Sequence, residues 1–440
     1  MHDQLEPMKV EDFVNTLNQE YFNGALSPAF TAQLLQLPMD RPDVFAMVAR
    51  MFGFMKQAGF PAQDLSIMVG EVLGTLLARI LPGAWEGRIP PITVPGRHKA
   101  IDHYIKNMKG DTATKRSMLD IGCGFPPYTT LETAELLSNW QITAVDPSLP
   151  VYLVYDENGN YATFDENKKI VYFQPAIPSV ENWNTLLMDV SSTRNRFEKL
   201  LEQLLDQPAP SSKIKARLER DPAMAYETDK LSFIRGGIGE VAVTPVDCIR
   251  CFNVLFYFDD IFFKTALKWF ESKTNENGIV LIGGNWAASS ECYYHVYQKL
   301  DGHLIEKEFA FSIDTLCPFG VATWYANHDD DRQTAQLVQY LGILRKDKSF
   351  MDAFYALNDG LRAKYLLCAR NDDGYYGNVD PTISPLELWQ LVENIINELN
   401  EAGFNQRAAD VLIGAGHNAR VNEVGHIAVS QTDIPPIKRP

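Results

Sequence analysis

Apolar and polar positions change period several times along the chain, and those changes predict its elements. Val10 to Tyr21 and Val44 to Gln57 repeat apolar residues at helical spacing. Leu65 to Ile80 is a further apolar helix, which Pro82 stops. Pro82 to Arg97 is dense in proline and glycine and reads as a connection, and His98 to Lys109 as one more helix. The run Met118-Leu119-Asp120-Ile121 then enters Gly122-Cys123-Gly124. Thr129 and Glu132 are spaced as a capping box, Leu131 to Trp140 reads as a helix, and Gln141 to Val145 as a strand ending in Asp146. A strand, a tight turn, a helix and a second strand with a terminal carboxylate form half of a nucleotide-binding unit. The turn lets a ligand lie against bare backbone, and the carboxylate can hold a ribose diol.

Past Asp146 the period switches to two. Val151 to Phe173 alternates as strands, broken at Asn158-Gly159 and near Asp165-Glu166-Asn167, which predicts a three-stranded β-meander over 151–175. Asn195 to Leu205 reads as a helix. Leu231 to Ile234 and Val246 to Leu255 read as the third and fourth core strands, and Phe262 to Glu271 as a helix. Ile279 to Ile282 is a fifth strand, ending at Gly283-Gly284-Asn285-Trp286, and Ser289 to Leu300 reads as helical. Leu304 to Ile313 and Val321 to Tyr325 make an antiparallel closing pair. From Asp329 the spacing is helical again, over Ala335 to Leu344, Ser349 to Leu367 and Pro385 to Leu399. Strand-like pieces surround Gly414-Ala415-Gly416, and Pro435 to Pro440 reads as a loose tail. The expected fold is α/β: a Rossmann-like, mostly parallel sheet with an antiparallel closing strand, an inserted β-meander, and helical N- and C-terminal regions. The expected domains are a helical region 1–97, a core 98–328 and a mainly helical region 329–440.

Composition narrows the function classes. The chain has 440 residues, 46 % hydrophobic and 22 % charged, as in an ordinary soluble domain protein. No apolar run reaches the ~18 residues of a membrane span. The start, Met1-His2-Asp3-Gln4-Leu5-Glu6, is too polar for a secretory signal. A net charge of -16 argues against nucleic acid as a partner. Six scattered cysteines fit a reduced compartment, so a cytoplasmic location is expected, with no membrane partner. Cys248 and Cys251 lie three apart on one strand, point to opposite faces and cannot converge on an ion. The eight histidines show no metal-ligand spacing, and no metal is expected.

At Leu119-Asp120-Ile121-Gly122-Cys123-Gly124 the chain resembles the first motif of class I S-adenosylmethionine-dependent methyltransferases. Asp146 stands where that family places its ribose-binding acid. Asn253-Val254-Leu255-Phe256-Tyr257-Phe258 resembles the fourth-strand segment of chemotaxis-receptor methyltransferases. The resemblance spans roughly Lys115 to Tyr325 by the extent of the strand and helix pattern. It implies an S-adenosylmethionine-dependent methyltransferase acting on a small-molecule or peptide acceptor. The family often has a third glycine where this chain has Pro126, followed by Pro127.

Under this reading Asp120 sets the turn by accepting main-chain N–H groups, Gly122, Cys123 and Gly124 seat the cofactor, and Asp146 accepts from both ribose hydroxyls. Gly236 lets adenine approach backbone, and Asn253 holds the methionine part. Tyr128, Tyr257, Trp286 and Tyr293 are candidates for the substrate wall, and Tyr257 and His295 for catalysis. Each has a bland alternative: a turn glycine, a solvated strand end, an aromatic packed on the sheet. Two rival functions stand beside this one. The first is a methyltransferase-like fold that binds a nucleoside or forms an assembly surface without turnover. The second is an NAD-dependent oxidoreductase, which Pro126 and Pro127 oppose because prolines offer a pyrophosphate no N–H. A homo-oligomer stays open.

Overall fold

Four strands carry the expected parallel core: β1 (Arg116–Ile121), β2 (Trp140–Val145), β7 (Leu231–Ile234) and β8 (Val246–Phe252). They lie in the order β8-β1-β2-β7, and β1–β2, β1–β8 and β2–β7 all pair parallel. In order along the chain this is 3-2-1-4, one half of a doubly wound sheet, whose ligand crevice opens at the carboxyl ends where the strand order reverses. Buried runs such as Met118 to Ile121 and Cys248 to Phe252 fit a sheet covered on both faces. The computed structural model describes residues 9–68, 95–109, 115–177, 182, 185–186, 189–206, 215–285, 291–317, 332–377, 379–380 and 382–430. The chain divides into two units, Gly74–Cys251 with Lys268–Gly278, and Met1–Leu73 with Phe252–Leu267 and Ile279–Pro440.

The first unit holds the parallel strands and, after β2, a small antiparallel sheet. Its strands are β3 (Tyr152–Tyr155), β4 (Tyr161–Phe164), β5 (Ile170–Gln174) and β6 (Arg217–Arg220), in the order β5-β4-β3-β6. The predicted meander is therefore present, with a fourth strand that the polar run Arg217-Leu218-Glu219-Arg220 concealed. Gly159 turns the first hairpin at φ 80°, its N–H donating to the Asp156 carbonyl at 3.1 Å, so glycine alone takes the left-handed position. Val154, Ala162, Phe164 and Phe173 pack with Phe197 and Leu201 of the helix Val190–Leu205 into a core of their own.

The second unit is built on antiparallel pairs among β9 (Thr274–Asn285), β10 (Cys292–Leu300), β11 (His303–Phe311), β12 (Ala419–Val421) and β13 (Ile427–Ser430). Helical segments from both ends of the chain share this unit. Phe52 of the helix Pro42–Ala58 meets Phe22 at 5.0 Å, and Arg345 of the helix Arg332–Lys346 donates to buried Asp64 at 2.7 Å. No helix among the described residues is long and apolar enough to cross a membrane.

Several expectations are corrected. Ser289 to Leu300 is not helical: Cys292–Leu300 is a strand pairing with β9 and β11. Tyr293 and Tyr297 mimic helical spacing, but the run is aromatic and β-branched and its first six residues are buried on both faces. Leu304 to Ile313 is antiparallel as predicted, with β10 and β13 as its partners; Val321–Tyr325 lies outside the described residues, as do most of Leu65–Ile80 and the tail Pro435–Pro440. The capping box does not form, because the helix Tyr128–Leu136 opens directly after Pro127. Glu132 instead accepts the Gly96 N–H, at 2.8 and 3.0 Å. The stretch 404–414 is a helix, Phe404–Gly414, and the strand pieces β12 and β13 lie wholly beyond it. The short helix Pro28–Leu34, capped by Ser27, carries no long periodic pattern and was not predicted.

Candidate functional site

Ile121 and Val145 are register partners, so the chain leaves two neighbouring parallel strands side by side. Gly122 then donates its N–H to the Val145 carbonyl at 2.8 Å and turns at φ 80°, and Gly124 turns again at φ 65°. Side chains rarely tolerate either conformation, so the bend is bare backbone. Cys123 between them is buried, and burial, with Asp146 and Asp120 nearby, pushes its thiol well above the usual range. It stays a neutral thiol and is no nucleophile.

Asp146 ties this turn to its own loop. Its Oδ2 accepts the Gly124 N–H at 2.9 Å, and its Oδ1 accepts the Ser148 N–H and hydroxyl at 2.8 and 2.5 Å. The carboxylate is buried, and burial raises its pKa although the Ser148 and Gly124 hydrogen bonds pull it down. A carboxylate offers about four lone-pair sites, and these three donors leave one on Oδ2, so Asp146 has room for one ribose hydroxyl and not for both as expected. Gly236 closes the third side, its N–H donating to the Asp146 carbonyl at 3.4 Å. A Cβ at Gly236 would meet Val241 Cγ1 at 2.5 Å, so glycine is required there.

Asp120 does not set the turn. Its two oxygens take a bidentate pair from Arg250, Nε at 2.9 Å and Nη2 at 2.7 Å, and the Thr130 hydroxyl at 2.6 Å. The cause is register: Asp120 and Arg250 are direct partners on β1 and β8, with side chains on one face. Arg250 also donates to Asp102 of the helix Lys99–Lys109 and to Thr133 Oγ1 at 2.7 Å. Burial works against the guanidinium, yet Asp120 and Asp102 hold its pKa above the ordinary value. Burial pushes Asp102 up to about 7, with Arg250 pulling the other way. Sequence reading missed this network. One arginine inside the otherwise apolar run Cys248-Ile249-Arg250-Cys251-Phe252 was the available signal, since a buried cation demands a carboxylate.

Asp120, Gly122, Cys123, Gly124, Asp146, Gly236 and Tyr128 all belong to the first unit. Tyr128 opens the helix after the turn and is 41 % exposed. The remaining candidates belong to the second unit. Asn253 takes φ 58°, and its amide makes a reciprocal pair with Asn285, donating at 2.8 Å and accepting its N–H at 2.9 Å. Tyr257 ends a short 3-10 turn with its ring 4.4 Å from Phe256. Tyr293 and His295 are buried on β10 rather than on a helix, and His295 Nδ1 lies 2.8 Å from Glu306. Trp286 lies outside the described residues. Among the described residues no group of His, Cys, Asp and Glu is placed to hold a metal ion.

No protein-family model and no curated protein matches the chain. Among solved structures it is similar to methyltransferases. The N-methyltransferase NodS of Bradyrhizobium japonicum, bound to S-adenosylhomocysteine, is 12 % identical, with 42 % of this chain and 60 % of that one covered and a TM-score of 0.20. An O-methyltransferase family 2 protein of Planctomyces limnophilus, bound to apigenin, is 15 % identical over 58 % of this chain and 47 % of that one, TM-score 0.20. The plantazolicin methyltransferase BpumL is 11 % identical over 55 % and 60 %, TM-score 0.22. The chain thus spans less than two thirds of each. At these scores the functional reading rests on the site itself.

Proposed function

We propose that the chain is an S-adenosylmethionine-dependent methyltransferase that seats its cofactor on the Gly122–Gly124 turn and methylates a small-molecule or peptide acceptor. The carrying observation is the turn itself. Two left-handed glycines follow β1, and the second is held at 2.9 Å by the carboxylate that ends β2. Bare main chain beside an acid at the carboxyl ends of parallel strands suits a nucleoside with an uncharged linker. A pyrophosphate would need N–H groups where Pro126 and Pro127 stand, which disfavours a nicotinamide dinucleotide.

When bound, adenosylmethionine would supply an activated methyl group to the acceptor's lone pair, with the sulfur as leaving group. The chain's own work is to bind, align and exclude water. Asp146 keeps one lone pair for a ribose hydroxyl, and Ser148 and Gly124 hold it in place. Gly236 is covered by the Val241 side chain and serves the path of the loop after β7 rather than contact with a base. Asp120 is committed to Arg250 and contributes rigidity to the floor of the turn.

The test is calorimetric titration of the full chain with S-adenosylhomocysteine and with NAD. Binding of the first and not the second is expected. The reverse order would replace the reading with the oxidoreductase one, and adenosylhomocysteine binding without turnover in a cell extract would favour a non-catalytic binder.

A further inference from the structure

The small sheet β5-β4-β3-β6 has two faces of different chemistry. One packs Val154, Ala162, Phe164 and Phe173 on the helix Val190–Leu205. The pairing register puts Tyr155 opposite Tyr161 and Arg217, Tyr172 opposite Thr163, and Gln174 opposite Tyr161, all on the other face. This second face is a row of tyrosines. Tyr155 and Tyr161 rings stand 5.7 Å apart and Tyr161 and Tyr172 rings 6.4 Å apart. Phe125, the residue after Gly124, meets Tyr226 at 6.4 Å.

The row reaches the glycine turn. Burial raises the phenols of Tyr155, Tyr161 and Tyr226, and in each case Tyr128 raises them further. Burial raises Tyr172 too, with Tyr161 and then Asp146 adding to it. Phenols from the small sheet and from the helix after the turn therefore share one neighbourhood with the carboxyl group of Asp146. Tyr155, Tyr161, Tyr172 and Tyr226 thereby stay protonated donors at neutral pH. Tyr155, Tyr161 and Tyr226 are only half-buried and Tyr128 is 41 % exposed, so this end of the face is accessible, whereas Tyr172, Thr163 and Gln174 are fully buried. Gln174 Nε2 is a buried donor with no hydrogen-bond partner among the described residues. Leaving such a donor unused is costly.

Charge selects the occupant. The Arg217 guanidinium already lies 3.7 Å over the Tyr155 ring and pairs with Glu219 at 2.6 Å. A cationic amine would meet a like charge there, and a polyanion would meet Glu219 and Asp146. An uncharged flat ring can stack on the tyrosines and accept from phenols and the Gln174 amide. Resting on the methyltransferase reading, we infer that this tyrosine face is the methyl-acceptor site, and that its acceptor is an uncharged planar aromatic molecule with a hydrogen-bond-accepting oxygen or nitrogen.

The test uses one ring in three charge states: 1-naphthol, 1-naphthylmethylammonium and 1-naphthalenesulfonate, titrated into the full chain with and without adenosylhomocysteine. Naphthol is expected to bind about tenfold more tightly than either charged ring. Tyr161→Ala and, at the exposed end of the row, Tyr128→Ala should each weaken naphthol by about fivefold or more while adenosylhomocysteine affinity holds. Preference for a charged ring, or naphthol affinity unchanged in both variants at wild-type melting temperature, would overturn the inference. Loss of adenosylhomocysteine binding by the wild-type chain with the naphthol pattern intact would instead fault the cofactor assignment, and leave the tyrosine face supported as an aromatic site.

Discussion

Asp146 holds the amide of Gly124 with one oxygen and Ser148 with the other, so removing it acts twice: a ligand partner goes, and the turn loses its tether. Asp146→Ala should weaken adenosylhomocysteine binding by ~1–3 kcal/mol, and unchanged affinity by calorimetry would remove this residue from the site. Asn253 offers a backbone contrast. It stands at φ 58° with its amide paired to Asn285. Asn253→Gly and Asn253→Ala both lose the pair, but only alanine must also hold the left-handed conformation, at ~1–2 kcal/mol. Urea unfolding should therefore rank glycine above alanine, and equal midpoints would count against strain at that position. At this scale the bend at Gly122 and Gly124 and the strand-end position of Asp146 were legible, because turn glycines and strand-end acids announce themselves locally. It misassigned Asp120, because the partner that claims it lies 130 residues away in sequence.

Among elements, the Arg250 network joins β1, β8, the helix Lys99–Lys109 and the helix Tyr128–Leu136. Arg250→Met would leave two buried carboxylates facing each other without a cation. A loss of ~3–5 kcal/mol is expected, and a loss under about 1 kcal/mol would mean the carboxylates find other partners. Asp102 adds a pH signature. Its pKa of about 7 in the fold lies above the ordinary 3.8, so the folded chain keeps a proton that the unfolded chain releases. Its contribution to stability is full below the ordinary value and is lost as pH rises through about 7. Asp102→Asn should flatten the fall in stability between those two values, and a parallel curve for the variant would show that Asp102 stays ionised throughout. Short apolar runs and glycine signals made β1, β2, β7 and β8 legible, and Asn158-Gly159 made the meander legible. β6 and β10 were hidden, one by charges and the other by tyrosines four apart; their identity depends on the strands beside them.

For the whole molecule, ligand linkage separates the rival functions. Saturating ligand stabilises a folded chain by about 2.7 kcal/mol at one hundred times its dissociation constant. Adenosylhomocysteine should raise the melting temperature and NAD should not. A net charge of -16 also predicts weak, salt-sensitive association with DNA at most. The sequence disclosed the α/β class because alternating strand and helix periods survive without tertiary knowledge. It did not disclose that helices from the two ends of the chain share a unit, which rests on contacts such as Arg345 on Asp64. The most direct measurement is a crystal structure of the full chain grown with S-adenosylhomocysteine. Density is expected along the main chain of Gly122–Gly124, with a ribose hydroxyl within hydrogen-bond distance of Asp146 Oδ2. Well-ordered ligand density anywhere else, with that turn bare, would contradict that expectation.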